Sequence, residues 1–170
     1  MAEVAQSEVT GRTRVVVDIA ELVVSKDPAT VLITYSLGSC IGVAVWDPQV
    51  HVAGLLHYML PESKALPKNA KDNPAIFCDT GVPRLFHAAY ELGATKRRLV
   101  VKLAGGARLL AGDGRFNIGR RNYLALRRIF WKNGVQIERE SVGGPISRSM
   151  QIDVGTGTVM VRTRGEEVSL

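Results

Sequence analysis

Short β-branched runs broken by turn signals fill the first third of the sequence, a pattern that a series of strands satisfies and a helix does not. Arg14 to Asp18, Leu22 to Val24 and Val31 to Tyr35 read as strands, with a turn at Lys26-Asp27-Pro28; Ile41 to Trp46 and Val52 to His57 flank a second turn at Asp47-Pro48. A polar loop with Pro61, Pro67 and Pro74 leads to a helix on which Val82, Leu85, Phe86, Ala89 and Leu92 share one face, ending at Gly93. Arg98 to Ala104 is a buried-type strand closed by Gly105-Gly106. A second helix, about Arg120 to Lys132, buries Tyr123, Leu126, Ile129 and Phe130 and stops at Asn133-Gly134. Strands near Val135 to Ser141, Ser149 to Asp153 and Thr158 to Arg162 close the chain. Strands therefore occupy both ends with two helices between, so the alternation needed for a doubly wound parallel sheet fails. The expected class is α+β, layered, with mixed or antiparallel sheet.

At 170 residues the chain suits one domain, because a chain of this length buries roughly 70% of its unfolded surface around one core. That domain is expected over 13–165, between a flexible N-terminal tail at 1–12 and a C-terminal tail at 166–170. Cys40 and Cys78 show neither a CxxC nor a metal-ligand spacing, so the thiols read as free and the compartment as reducing. The N-terminus lacks a basic start, and no apolar run approaches the roughly 20 residues of a membrane span. A soluble, cytoplasmic protein without membrane insertion is expected.

The net charge of +6 is concentrated. Residues 96–140 hold twelve Lys/Arg against three Asp/Glu, while residues 1–95 hold seven against ten. A basic block of this kind suits a solvated surface, an acidic protein partner or nucleic acid. The segment has no aromatic interleaving and no zinc-finger spacing, which ranks an acidic protein above nucleic acid.

Chemistry centres on Cys40, set in Leu37-Gly38-Ser39-Cys40-Ile41-Gly42, and on His57 seventeen residues later. Free cysteine titrates at roughly 8.5, and an imidazole is the usual device for activating it. Flanking glycines permit a sharp turn and leave room for a substrate, and amides released at such a turn can hold an oxyanion. The form G-x-C-x-G is shared with the nucleophile elbow of α/β-hydrolases, but an elbow passes from strand to helix and Ile41 to Trp46 reads as another strand. Counting along a hairpin centred near residue 48 brings the chain back to the level of Cys40 at about residues 56 to 57. Taken alone, each residue reads first as a buried core side chain, and only their joint placement points to chemistry. His51 lies six residues from His57, roughly 20 Å along a strand, and is too far to serve the same sulfur. His87 reads as a helix-surface residue, and Cys78, ahead of an N-cap at Asp79-Thr80, as a core residue. Thr34 lies on the strand feeding the turn, where a hydroxyl can orient an imidazole, although strand propensity alone explains a threonine there. Gly112-Asp113-Gly114 begins like a dinucleotide fingerprint, but Asn117 stands at the third glycine, and no phosphate-binding loop exists. Neither a cofactor nor a metal is expected.

Together these segments resemble the CheD family, the chemoreceptor glutamine deamidases of bacterial and archaeal chemotaxis. The resemblance runs from about Val17 to Arg162. It is carried by Glu21-Leu22-Val23-Val24-Ser25-Lys26, by the Cys40 run, by His57-Tyr58-Met59-Leu60-Pro61 and Asp79-Thr80-Gly81-Val82-Pro83, and by Lys102-Leu103-Ala104-Gly105-Gly106-Ala107, Phe116-Asn117-Ile118-Gly119-Arg120-Arg121-Asn122 and Val142-Gly143-Gly144. It implies a sandwich of two sheets with outer helices, related to bacterial toxin deamidases. Cys40 becomes the nucleophile, His57 the general base and acid, and Thr34 the residue that orients His57, with Gly38 and Ser39 as oxyanion or turn support. Implied partners are methyl-accepting chemotaxis receptors as substrate and a CheC-type phosphatase. Two alternatives stay open: a methylesterase acting on receptor glutamyl esters through the same thiol, and a binding module for the phosphatase. Two departures stand out, Ser147 before Arg148 where the family often has glycine, and Tyr35-Ser36 ahead of Leu37.

Overall fold

The computed structural model describes residues 6–9, 11–108 and 117–170. Two sheets pack face to face, and the two long helices among the described residues cover the outer side of one of them. The six-stranded sheet runs β1 (Gln6–Val9), β2 (Arg12–Val16), β4 (Thr30–Leu37), β9 (Arg148–Asp153), β10 (Val159–Thr163), β11 (Glu166–Ser169). In the five-stranded sheet the order is β3 (Glu21–Ser25), β6 (Val52–Tyr58), β5 (Ile41–Asp47), β7 (Val100–Gly105), β8 (Arg139–Val142). Among the described strands β2 with β4 and β7 with β8 pair in parallel and the rest antiparallel, so both sheets are mixed. The α+β layered expectation stands, and the implied sandwich with outer helices is present.

The alternation along β5 and β6 builds two cores at once. Ile41, Val43, Val45, Val52, Leu56 and Tyr58 join α2 (Cys78–Glu91) and α3 (Ile118–Asn133) in one cluster; Ala44, Ala53 and Leu55 join Leu32, Leu37, Met150 and Ile152 in the other, between the sheets. Both strands are thus covered on two sides, and burying each Leu, Ile or Val contributes about 1.5–3 kcal/mol. The β5–β6 turn is pinned by Asp47, whose buried carboxylate accepts from Arg98 Nε at 2.9 Å and from the Thr95 and Gln49 amides.

The structure differs from the sequence reading in several places. Residues 6–9 and 166–169, expected as tails, form the edge strands β1 and β11, while residues 1–5 of the expected tail and Gly112 to Gly114 lie outside the described residues. Helix α2 begins at Cys78 with Phe77 at its cap, so Asp79 is not the N-cap; its carboxylate instead accepts from the Ser63 amide and hydroxyl. The proline-rich loop contains a short helix, α1 (Pro67–Asp72), begun by proline at its first position. β8 starts at Arg139 rather than Val135, because Gly134 takes a left-handed cap and the Val135 amide folds back onto Phe130.

Candidate active site

β4 of one sheet and β6 of the other face each other, and a side-chain hydrogen bond joins these two strands: Thr34 Oγ1 lies 2.7 Å from His57 Nδ1. Both side chains are completely buried. Burial pushes the imidazole down to about 4, partly opposed by the nearby Asp18 carboxylate, so His57 is neutral at physiological pH. Its Nε2 has no hydrogen-bond partner among the described residues. The same strand end is fastened at the backbone, where the His57 carbonyl accepts the Ala20 amide at 2.9 Å.

Cys40 sits in the turn that carries the chain from β4, in one sheet, to β5, in the other. β4 is irregular between Thr34 and Leu37, and Ser36 adopts a left-handed backbone with φ 56°. The register sets Gly42 opposite His57 and Ile41 opposite Tyr58. Continuing that pairing one residue beyond β5 would put Cys40 on the face of Gly42, one diagonal step from His57, a spacing of about 7–8 Å between α-carbons in regular sheet. The hairpin count misplaced the level by two to three residues, because the turn between Asp47 and Val52 spans four and the observed register, so continued, sets position 40 opposite Met59. Cys40 is half-buried against the inter-sheet cluster. Burial raises its thiol, and its own backbone amide works in the opposite direction.

The carbonyls of the turn are all engaged from one side. Gly38 O accepts the Ala107 amide at 2.7 Å, Ser39 O accepts Asn122 Nδ2 at 2.9 Å, and Cys40 O accepts the Gly106 amide at 2.8 Å. In a planar trans peptide the N–H points opposite to the C=O, so the Ser39 and Cys40 amides face away from those partners. The Gly38 amide is already bonded to Ser36 O at 2.8 Å, which makes Gly38 a turn support. Only glycine fits at position 105: its φ is 111°, and a Cβ would stand 2.2 Å from Cys40 O. Gly119 likewise lets the first turn of α3 close on this loop, since a Cβ there would meet the Gly106 and Ala107 carbonyls at 2.6 Å.

The other candidates lie elsewhere. His51 is exposed beyond the opposite end of β6, with Nδ1 2.9 Å from Gly155 O, and His87 is exposed on α2 against Tyr90. Cys78 is buried among the helix-side cluster, and burial pushes its thiol up to about 12, with the Tyr58 hydroxyl beside it acting against the shift. Ser147 and Arg148 sit near the turn at the start of β9; Arg148 Nε donates to Ser141 Oγ at 2.9 Å and Nη1 to Ile146 O at 2.9 Å. An open cavity of about 440 Å³, walled by Gly106, Arg108, Asn117, Arg120, Tyr123 and Gly144, borders the loop that holds Cys40. Asn122 was not singled out from the sequence. The signal was a polar residue on the apolar face of α3, where it is fully buried.

Comparison with known proteins gives one consistent answer. The family model described as CheD chemotactic sensory transduction matches residues 59–163. The probable chemoreceptor glutamine deamidase CheD 1 of Syntrophus aciditrophicus is 46% identical over 151 residues, 89% of this chain and 94% of that protein. A protein of Solibacter usitatus with the corresponding name is 42% identical over 157 residues, 92% of this chain and 93% of its own length. That of Thermococcus kodakarensis is 37% identical over 148 residues, 86% and 90%. The family match begins after His57, whereas the relatives' alignments are too long to leave out residues 34–57.

Proposed function

Because the chain belongs to the CheD family, we propose that it deamidates glutamine side chains of chemoreceptors, with Cys40 as nucleophile, His57 as base and acid, and Thr34 holding His57. The observation that carries this reading is the 2.7 Å Thr34–His57 bond, which occupies Nδ1 and leaves Nε2 open on the face that Cys40 continues. With Nδ1–H donating to Thr34 Oγ1, Nε2 is the basic nitrogen.

Burial keeps both partners uncharged at rest, so proton transfer accompanies attack instead of preceding it. His57 Nε2 takes the thiol proton as sulfur bonds to the glutamine Cδ and the carbonyl electrons move to oxygen. The Ser39 and Cys40 amides stabilise that oxyanion. When the carbonyl re-forms, the C–N bond breaks and the imidazolium protonates the departing nitrogen, releasing ammonia and a thioester. Water then gives a proton to His57 and attacks the thioester. The thiolate leaves and recovers its proton, and glutamate is the product. The reading places the protein in the cytoplasm, where two free thiols are expected to stay reduced.

The outward face of α3 suits a glutamate-bearing receptor surface. Arg120, Arg121, Arg127 and Arg128 are exposed there together with Leu124 and Trp131, and α3 contains no acidic residue. Such a field raises encounter rates with an acidic partner.

The test is mass spectrometry of a receptor fragment, supplied in glutamine and in methyl-esterified form, after incubation with wild type, Cys40→Ala and Arg121→Glu/Arg128→Glu. Wild type is expected to convert amide to acid and Cys40→Ala is not. The double reversal is expected to lower kcat/KM about tenfold at low salt and less at high salt. Conversion of the amide by both wild type and Cys40→Ala, or by neither, overturns the reading; conversion of the ester alone replaces it with the methylesterase.

A further inference from the structure

Of the three turn carbonyls, those of Gly38 and Cys40 are held by main chain and that of Ser39 by a side chain. Asn122 donates through Nδ2 to Ser39 O at 2.9 Å and to Met59 O at 2.7 Å, which uses both of its N–H bonds. Its backbone carbonyl accepts the Tyr58 hydroxyl at 2.9 Å. Its Oδ1 is buried with no partner among the described residues. An interior carbonyl without a partner costs stability, so a residue serving only to fill this space would be apolar.

The two acceptors explain why an amide is there. Ser39 O and the Cys40 N–H belong to one rigid peptide plane, so a bond to the first sets the direction of the second. Met59 lies two residues past His57, and the same NH2 group ties that strand end to the turn. We propose that Asn122 is a positioning residue that aims the Cys40 N–H at the oxyanion and fixes the Cys40 turn against the strand end bearing His57. Its kinetic test rests on the deamidase reading; a second arm does not.

In the full-length chain, Asn122→Ala is expected to melt cooperatively and to lower kcat for deamidation about a hundredfold, with KM within about threefold of wild type. Asn122→Ser, which keeps one donor in less space, falls between the two and carries the comparison if the alanine variant does not fold. The second arm follows alkylation of Cys40 by iodoacetamide at pH 7, in which sulfur bonds to carbon, iodide leaves and the thiol proton passes to His57. His57→Ala slows this reaction when Asn122 is present and has little further effect once Asn122 is replaced. A folded Asn122 variant that keeps wild-type kcat, or that raises KM alone, overturns the proposal. An undiminished His57 effect on alkylation overturns it as well. Failure of wild type to convert receptor glutamine sinks the deamidase reading instead, and the alkylation arm still decides the role of Asn122.

Discussion

Strand β6 ends on two neighbours that face opposite ways, and each has a cysteine on its side of the sheet. His57 looks into the space between the sheets, where Cys40 borders the cluster; Tyr58 looks toward the helices, where Cys78 is packed. Burial raises both thiols, Cys78 to about 12. What separates them is access and a base. Cys78 is sealed, and beside it stands a phenol whose proton burial holds well above its ordinary range. Cys40 lies half-buried in a turn that leads into the strand beside His57, whose neutral imidazole keeps a buried Nε2 without a partner among the described residues. In the proposed mechanism Cys40 rather than Cys78 is the nucleophile because of what surrounds it across a single strand, and the raised pKa of its thiol is offset by that imidazole.

The sharpest way to break that contrast is to remove each thiol in turn. Cys40→Ala is expected to lower kcat by roughly 10⁴-fold or more while leaving the melting curve nearly unchanged. Cys78→Ala reverses the pattern: kcat stays near wild type, and urea unfolding shows a loss of about 1 kcal/mol from the small cavity in the helix-side core. Loss of turnover in a well-folded Cys78→Ala protein would place the chemistry on the wrong face.

A second effect of a few kcal/mol separates the faces by pH. The unfolded chain takes up a proton on His57 below its ordinary value of 6.5, whereas the folded protein does so only near 4. Between those values the unfolded state binds more protons, so stability falls as pH drops from 6.5 to 4 and levels off below. The full shift corresponds to ~3 kcal/mol. Comparing urea unfolding of wild type and His57→Gln from pH 7.5 to 4 isolates this term, since other groups titrate in both. A difference that does not change with pH contradicts a neutral, buried His57.

Much of this contrast was legible in the sequence. The apolar runs of β5 and β6 on either side of Asp47-Pro48 announced a hairpin, and the glycines around Cys40 announced a turn with room for chemistry. The periodicity of α2 and α3 is set within each segment, so it too could be read locally. The pairing of Thr34 with His57 was not readable this way, because it crosses between sheets and depends on how two separate strands stack. Asn122 was hidden for a related reason: its acceptors are backbone carbonyls at positions 39 and 59, which leave no mark on residue type. The edge strands β1 and β11 were missed because they owe their form to backbone pairing with β2 and β10, while their residues read as polar tail.

The smallest effect tests the bond that distinguishes the His57 face. Thr34→Val keeps the shape of the side chain and removes the hydroxyl bonded to Nδ1, which in the proposed tautomer leaves a buried N–H without that acceptor. The ring then loses its preference for carrying the proton on Nδ1, and the fraction with a basic Nε2 falls. Turnover is expected to drop roughly ten- to a hundredfold with little change in KM, because acid–base assistance is weakened while receptor contacts are untouched. Thr34→Ser restores the oxygen and most of the rate. The ring ¹⁵N shifts supply the check that kinetics cannot: wild type and Thr34→Ser hold the proton on Nδ1, whereas Thr34→Val moves it toward Nε2. Equal tautomer populations in all three would mean that Thr34 only fills space, and that His57 differs from Tyr58 by its neighbouring cysteine alone.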